Sequence, residues 1–291
     1  MARNAAPAGS PHELRSGALL VSAAAVMWAL WPVWVRRGAG QATALIAFAI
    51  AGLAALPLAL RESASRPRRA PRAWLWMAAL GVIDAGNTFC YFRALADGAV
   101  APAVLSHYLA PVLVALGAPL LLAEPRSRRT PLALALALGG TALLVLGRGS
   151  GAPAPAVETA LVWGGLSAAF FASTVLIARH LGREFGPAEL LAYHALVACA
   201  ALAPVLPLGT LAIDARLAWA AAGGVVSTAL AGLIYYRGLR RLPAERAGVL
   251  SYLEPLAALL VGWLVFSETP GLGAAAGGAL ILAGGLLVVT S

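Results

Sequence analysis

The chain consists of two related halves. Residues of the first half return 144 positions later in the second, so that Tyr91-Phe92-Arg93-Ala94-Leu95 matches Tyr235-Tyr236-Arg237-Gly238-Leu239. Tyr108-Leu109-Ala110-Pro111 likewise matches Tyr252-Leu253-Glu254-Pro255, and further matches at this offset are Glu124 with Glu268, Gly140 with Gly284 and Val145 with Val289. Solenoid repeats have periods of roughly 20–50 residues, so this longer repeat indicates a duplicated half-protein.

The composition of both halves is that of a chain surrounded by lipid. Hydrophobic residues make up 61% of the chain and charged residues 11%, whereas soluble domains contain about 45–50% and about 25%. All 21 basic residues are Arg, and they lie in short clusters between apolar runs. The net charge of +9 therefore indicates membrane topology and not a nucleic-acid surface. Both cysteines lie in apolar runs, so no disulfide framework is expected.

Ten apolar runs are long enough to cross a bilayer, which takes roughly 20 residues as a helix. They cover residues 17–35, 42–60, 74–92, 99–123, 131–147, 159–178, 188–208, 217–236, 247–267 and 272–289. A linker at 148–157, rich in Gly, Ser and Pro, interrupts the helical pattern near the middle. We predict an all-α integral membrane protein with ten transmembrane helices: a cytoplasmic tail (1–16), a five-helix repeat (17–147), the linker, and a second five-helix repeat (158–290).

The arginine distribution predicts the orientation of this chain. With the N-terminus in the cytoplasm, sixteen Arg fall on the inner side and five on the outer side, so both termini are expected to be cytoplasmic. Each half has an odd number of helices, so the second half is inserted upside down, and Arg93 and its equivalent Arg237 lie on opposite faces. Two inverted-topology repeats with a site between them, near the midplane, are typical of alternating-access secondary transporters.

Several motifs of the chain resemble those of the EamA-type permeases of the drug/metabolite transporter superfamily. The resemblance covers about residues 15–290 and rests on Tyr235 to Leu239, Leu250-Ser251-Tyr252-Leu253-Glu254-Pro255, Ser267-Glu268-Thr269, Leu280 to Gly285 and, more loosely, Tyr91 to Leu95, Leu109-Ala110-Pro111, Ala123-Glu124-Pro125 and Trp28. It implies a ten-helix carrier of the bacterial-type inner (plasma) membrane, most often an exporter of amino acids, related metabolites or drugs. One departure is that Ala110 stands where the second half has Glu254.

Asp84 is the first candidate site residue. A charged side chain at membrane depth costs at least roughly 2.5–3.5 kcal/mol, and at about 1.5 Å per residue Asp84 lies far enough beyond Arg72 to reach the midplane. Asn87 and Tyr91 follow at spacings of three and seven, so they share its helix face. Asp84 is expected either to bind a substrate amine or carry a proton, or to be a structural hydrogen-bond partner.

Glu254 and His107 are further titratable candidates. Glu254 precedes Pro255, which bends its helix, so a gating, protonation or fold role is open. His107 lies one turn before the equivalent Pro111, and a histidine titrates near neutral pH. It is expected to couple protons or to be a hydrogen-bonded core residue.

The remaining candidates are aromatic or less distinctive. Trp28 and Trp163 are candidate walls of the site, His194 is either a site residue or lies near the inner interface, and Tyr91, Tyr108, Tyr235 and Tyr252 complete the predicted substrate-binding set. The sequence has no phosphate-binding P-loop and no His/Cys cluster with metal-ligand spacing, so no cofactor, metal or catalytic residue is expected.

The function that these features favour is a secondary transporter rather than an enzyme. We expect it to export a small amphipathic metabolite, such as an amino acid or a related amine, by alternating access. Proton exchange and facilitated diffusion are both open, as are a monomer and a homodimer. The alternatives are a flippase of a lipid-linked substrate, which would open sideways to lipid, and a non-transporting membrane sensor, which the short tails disfavour.

Overall fold

The computed structural model describes residues 10–38, 42–97, 100–124, 127–146, 154–205, 214–267 and 271–290, and within them the chain forms helices, turns and no strand. The helices of the first half are α1 Pro11–Trp28, α2 Trp31–Arg37, α3 Ala42–Ala64, α4 Pro71–Asp97, α5 Val100–His107, α6 Ala110–Leu121 and α7 Thr130–Leu146. Those of the second half are α8 Ala154–Leu181, α9 Pro187–Leu202, α10 Ala215–Gly223, the π-helix Gly224–Leu230, α11 Ala231–Leu239, α12 Ala244–Ser251, α13 Leu253–Phe266 and α14 Leu272–Val289.

Local sequence signals explain where several helices begin. The Ser10 side chain accepts a hydrogen bond from the Glu13 amide at 3.3 Å, and the Glu13 carboxylate accepts one from the Ser10 amide at 2.9 Å. This reciprocal cap satisfies two amides that have no partner inside α1. Asp214 caps α10 by accepting from the Arg216 amide at 2.9 Å.

Proline interrupts one helical rod in each half, and the two rods are equivalent. The break between α5 and α6 precedes Pro111, and the break between α12 and α13 precedes Pro255. Proline lacks the amide donor and its ring clashes with the preceding turn, so the hydrogen-bond ladder is interrupted there. The bends that the sequence predicts at these equivalent prolines are both present.

Within the described residues, six helical rods are long and apolar enough to cross a membrane. They are Pro11–Val35, Ala42–Ala64, Pro102–Leu121, Pro155–Leu181, Ala215–Leu239 and Ala244–Val265, and shorter apolar helices lie at Thr130–Leu143, Pro187–Leu202 and Ala275–Leu287. α4 is also long but carries Arg72, Asp84 and Arg93. The all-helical, multi-pass membrane architecture is therefore present, while ten crossings and the predicted repeat boundaries stay predictions.

Residues that are equivalent in the two halves contact each other. The Tyr252 hydroxyl donates a hydrogen bond to the carbonyl of its equivalent, Tyr108, at 2.7 Å, and the two rings stack with centroids 5.8 Å apart. Gly52 packs against its own equivalent, Leu196, so closely that a Cβ on the glycine would lie 2.7 Å from the leucine Cγ. Contacts between equivalent residues are expected where a two-fold axis relates the two halves.

The packing of α7 against α14 repeats this symmetry. A Cβ on Gly140 would lie 2.5 Å from the Gly277 carbonyl oxygen, and one on Gly284 would lie 2.7 Å from the Ala133 carbonyl oxygen. Gly277 and Ala133 are themselves 144 residues apart. Small residues at both contacts let the two backbones approach closely, and the halves pack about a local two-fold axis.

Candidate functional site

The centre of the site is Asp84 on α4, where that helix packs against α9. Gly81, one turn earlier, allows the close approach, since a Cβ there would lie 2.7 Å from the His194 carbonyl oxygen. This places the Asp84 Oδ2 atom 3.2 Å from Nε2 of His194, and the side chains are 14% and 4% exposed. His194 Nδ1 lies 2.7 Å from the Leu190 carbonyl oxygen. The His194 ring is thus held between its own helix and Asp84.

A chain of hydrogen bonds connects Asp84 to His107. The Asn87 amide nitrogen donates to Asp84 Oδ1 at 3.4 Å, and the Ser167 hydroxyl donates to the Asn87 amide oxygen at 2.8 Å. His107 Nδ1 lies 2.8 Å from the Ser167 oxygen. Because the serine proton is used on Asn87, His107 Nδ1 is the donor in that last bond. We call His107, Ser167, Asn87, Asp84 and His194 the polar arc.

Aromatic rings connect the same two histidines along a second path. Ring centroids are 5.6 Å apart for His107 and Phe171, 6.5 Å for Phe171 and Trp28, 4.9 Å for Trp28 and Tyr235, 5.8 Å for Tyr235 and Tyr236, and 5.6 Å for Tyr236 and His194. The polar arc and this aromatic path meet at both histidines and form a closed circuit of contacts, here called the polar–aromatic ring.

The side chains on one side of this ring are fully buried, whereas several side chains at the level of the ring are partly exposed. On α4, Met77 and Leu80 are 2% and 0% exposed, whereas Asp84, Asn87 and Tyr91 are partly exposed. On α1, Val21, Ala24 and Ala25 are fully buried, and Trp28 at the end of the helix is partly exposed. These ring residues are therefore less completely enclosed than the side chains one or two turns away on the same helices.

Tyr235 provides a polar group that no described residue satisfies. Its side chain is buried, with 4% exposure, and its hydroxyl has no hydrogen-bond partner among the described residues. An unsatisfied buried hydroxyl costs about 1–3 kcal/mol. The Tyr235 hydroxyl is therefore suited to bond a molecule bound inside the ring.

A second carboxylate lies next to the ring. The Tyr91 ring stacks on His107 with centroids 4.3 Å apart, and Tyr108 meets His107 edge-on at 5.4 Å. The Tyr108 side chain lies near enough to the Glu254 carboxylate to interact with its charge, and the Tyr108 carbonyl accepts a hydrogen bond from Tyr252. Glu254 and His107 therefore both lie next to Tyr108, at the place where both interrupted rods bend.

The predicted site residues thus fall into three groups. Trp28, Asp84, Asn87, His107, His194 and Tyr235 belong to the ring, and Tyr91, Tyr108, Tyr252 and Glu254 lie beside it. Trp163 lies apart, against Phe89 with centroids 6.1 Å apart. Their role in substrate binding stays a prediction.

Sequence reasoning missed Ser167 and Tyr236. Ser167 lies four residues before Phe171, so the two residues share a face of α8. This spacing is a sequence signal that could have identified Ser167. Tyr236 directly follows Tyr235, and neighbours on a helix point in different directions, so the repeat alone does not place it.

Ion pairs and caps join the loops at one end of the molecule. Arg69 Nη2 lies 2.6 Å and 2.7 Å from the two carboxylate oxygens of Glu189, with side chains 7% and 0% exposed. Glu62 accepts from the amides of Ala188 and Glu189 at 3.1 Å and 3.3 Å. Carboxylates are stabilised there because the first amides of a helix lack partners and carry partial positive charge.

A second set of contacts lies at this end. Glu124 Oε1 lies 2.7 Å from Arg179 Nε. Its Oε2 accepts from the Ala244 amide at 2.7 Å, at the start of α12. We call Glu62, Arg69, Glu124, Arg179 and Glu189 the charged latch. In sequence, Leu206 and Leu45 stand at the positions equivalent to Glu62 and Glu189, so these two charges are not duplicated, whereas Glu124 matches Glu268.

Comparisons with known proteins agree with this architecture. A protein from Archaeoglobus fulgidus named "Uncharacterized transporter" is 30% identical over 277 residues, which cover 94% of this chain and 96% of that protein. The "Putative permease-like protein YdzE" of Bacillus subtilis is 41% identical over 66 residues, 23% of this chain and 85% of its own length. A crystal structure with 20% identity matches with a TM-score of 0.80, over 94% of this chain and 98% of that chain, which shows a shared fold.

The family comparison recovers the internal repeat independently. The model of the EamA-like transporter family matches twice, at residues 15–146 and 158–290. The two matches cover nearly the whole chain. The first match includes most of α1 and all of α2 to α7. On this evidence, the chain belongs to the EamA-like transporter family.

Proposed function

We propose that the protein is a secondary transporter whose substrate binds at the polar–aromatic ring. The observation that supports this is the origin of the ring: α1, α4 and α5 of the first half and α8, α9 and α11 of the second each contribute to it. A site between two related halves is accessible from opposite sides when the halves move relative to each other.

The chemistry of the ring favours an amphipathic substrate with a positively charged nitrogen. Asp84 supplies a carboxylate on one side, and Trp28, Phe171 and Tyr235 supply aromatic rings on the other. A cation is attracted both by a carboxylate and by an aromatic face, while the rings bury an apolar body. Amino acids and related amines have this character.

The state described by the structure fits one half of an alternating-access cycle. The molecule is closely packed and bridged by charges at the latch end, which the arginine distribution predicts to be cytoplasmic. Release of the latch would then open the ring to the cytoplasm for loading. We propose export as the direction because the EamA-type permeases that the chain resembles are most often exporters.

Transport by purified protein in liposomes tests this function. Counterflow of a pooled, labelled metabolite library is compared for the parent, Asp84→Asn and Asp214→Asn. Asp214 is an exposed carboxylate paired with Arg216 outside the ring, so its variant should transport like the parent, whereas Asp84→Asn should lose amine transport. No counterflow of any solute by folded protein, or equal transport by both variants, would refute the proposal.

A further inference from the structure

The hydrogen bonds of His194 define where its protons lie. A backbone carbonyl accepts and cannot donate, so the Nδ1 atom that faces the Leu190 carbonyl carries a proton. The other nitrogen, Nε2, faces two groups: Asp84 Oδ2 at 3.2 Å and the Tyr236 hydroxyl at 3.4 Å. The contact between Asp84 and His194 is therefore satisfied when one further proton lies between them.

That further proton sets the charge of the pair. With it, the pair is either a neutral acid beside a neutral imidazole or a carboxylate beside an imidazolium, and the net charge is zero in both cases. Without it, Asp84 is an anion that faces the lone pair of Nε2. The Tyr236 hydroxyl is then placed to donate to Nε2, while the Asn87 amide still donates to Asp84.

The groups around the pair come from four helices. On α4 itself, Asn87 bonds Asp84, and α9 provides the Leu190 carbonyl. From α11, the titratable Tyr235 and Tyr236 experience the field of Asp84. From α3, the Phe48 ring meets His194 edge-on with centroids 6.3 Å apart. Among these contacts, the proton shared by Asp84 and His194 is what balances the charge of Asp84.

We propose that this proton and a substrate cation occupy the site alternately, so that the protein exchanges one proton for one organic cation. The inference rests on the proposed transport function and specifies its coupling. When the cation binds beside Asp84, the proton shared by Asp84 and His194 leaves for water, and the Tyr236 hydroxyl donates to the vacated Nε2. One positive charge enters as one leaves, so the exchange is electrically neutral.

Proton release on binding tests this exchange directly. Purified protein in weakly buffered detergent is titrated with benzyltrimethylammonium, a permanently charged cation whose nitrogen has no proton to lose. A pH-indicator dye should report about one proton released per cation bound. His194→Gln should release far less, because glutamine does not titrate. Binding by the parent without release, or equal release by His194→Gln, would overturn the proposal.

Flux in liposomes separates failure of the coupling from failure of the function. A gradient of one pH unit should sustain about a tenfold gradient of the labelled cation, and a potassium diffusion potential set with valinomycin should leave the flux unchanged. Cation flux that ignores the pH gradient, or that follows the potential, refutes one-for-one exchange but leaves transport intact. Absence of both cation binding and counterflow refutes the proposed function and the exchange together.

Discussion

Asp84 and its equivalent in the second half show how one backbone plan acquired two different chemistries. The equivalent of Asp84 is Thr228, in the π-helix, and its hydroxyl has no hydrogen-bond partner among the described residues. Likewise, the equivalent of His194 is Ile50, and the equivalent of Glu254 is Ala110. The two halves therefore share their packing, but the carboxylate and imidazole groups in and beside the polar–aromatic ring are not duplicated. At the residue scale, we expect one cation site per chain and not two.

Tyr235→Phe tests whether the unpartnered hydroxyl serves a ligand. Removal of a buried hydroxyl that has no protein partner should leave the thermal midpoint unchanged or raise it, since the group costs about 1–3 kcal/mol when unsatisfied. The affinity for a bound amine should fall, by about 2–10-fold for one hydrogen bond. Thermal unfolding in detergent and binding titrations measure the two effects.

Tyr252→Phe is the matched control for that change. It removes the hydroxyl that donates to the Tyr108 carbonyl at 2.7 Å, so it should lower the thermal midpoint. An equal drop for Tyr235→Phe would mean that the Tyr235 hydroxyl has a structural partner in the folded protein.

At the scale of helices, the pair α7 and α14 depends on glycine at one helix face only. Gly140 faces the Gly277 carbonyl and the Ile281 side chain, whereas a Cβ on the neighbouring Gly139 would meet nothing within 4 Å. The two glycines are adjacent in sequence and differ by about 100° around the helix. The contact therefore requires the absence of a Cβ at Gly140, whereas Gly139 faces open space and is not part of the contact.

Alanine at these two positions should give opposite results. Gly140→Ala inserts a methyl group into a closed contact and should destabilise the protein by about 1–3 kcal/mol. Gly139→Ala should be neutral or stabilising by up to about 1 kcal/mol, because alanine favours the helix. Gly284→Ala, the symmetric partner of Gly140→Ala, should behave like it. Thermal unfolding of all three variants checks this, and equal midpoints for Gly139→Ala and Gly140→Ala would contradict the described packing.

Individual helices also show how far sequence reasoning reaches. The offset of 144 predicts that Pro111 and Pro255 bend equivalent rods, and apolar length predicts the rods themselves. Neither signal predicts that Ser167 joins His107 to Asn87, because those two hydrogen bonds require α4, α5 and α8 to meet in space. Arg69 and Glu189 are likewise 120 residues apart, so their pairing is invisible to local patterns.

At the scale of the whole molecule, the two ends differ in chemistry although the halves are related. One end carries the charged latch, with the buried pair of Arg69 and Glu189, and leucines stand in sequence at the positions equivalent to Glu62 and Glu189. In the proposed alternating-access cycle, inverted repeats alone would make the two open states similar in energy. The latch adds stability to one of them, so the resting population should favour the state closed at the latch end.

Glu189→Gln tests that bias. It leaves Arg69 buried without its anion, which costs about 3–5 kcal/mol, so the latch end should open more often. The readout is a cysteine at Val175, which is 2% exposed and lies between Phe171 and Arg179 on α8, with Cys90 and Cys199 replaced by alanine. Labelling by an impermeant maleimide from the latch side should rise about tenfold or more.

Asp214→Asn again provides the control, since its pair with Arg216 is exposed to solvent and therefore contributes little to stability. Its labelling rate should match that of the parent. An unchanged rate in Glu189→Gln would show that the buried pair does not hold this end closed.

Membrane topology tests the predicted number of crossings. Ten crossings place both termini on one face, and the loop at Asp214, after the predicted seventh, on the other. Cysteines at Ser10 and Thr290 should react with impermeant reagent only from the inside, and a cysteine at Asp214 only from the outside. Termini on opposite faces would mean an odd number of crossings and would refute two inverted five-helix halves.

The contact between Tyr108 and Tyr252 has a mechanical consequence. Both lie where a rod is interrupted, and they meet across the local two-fold axis. In a rocking motion about that axis, displacement grows with distance from the fulcrum, as along a lever. The joints of the bent rods therefore sit where they travel least, and the charged latch, at the far end of the lever arm, is where a small rotation becomes a large separation.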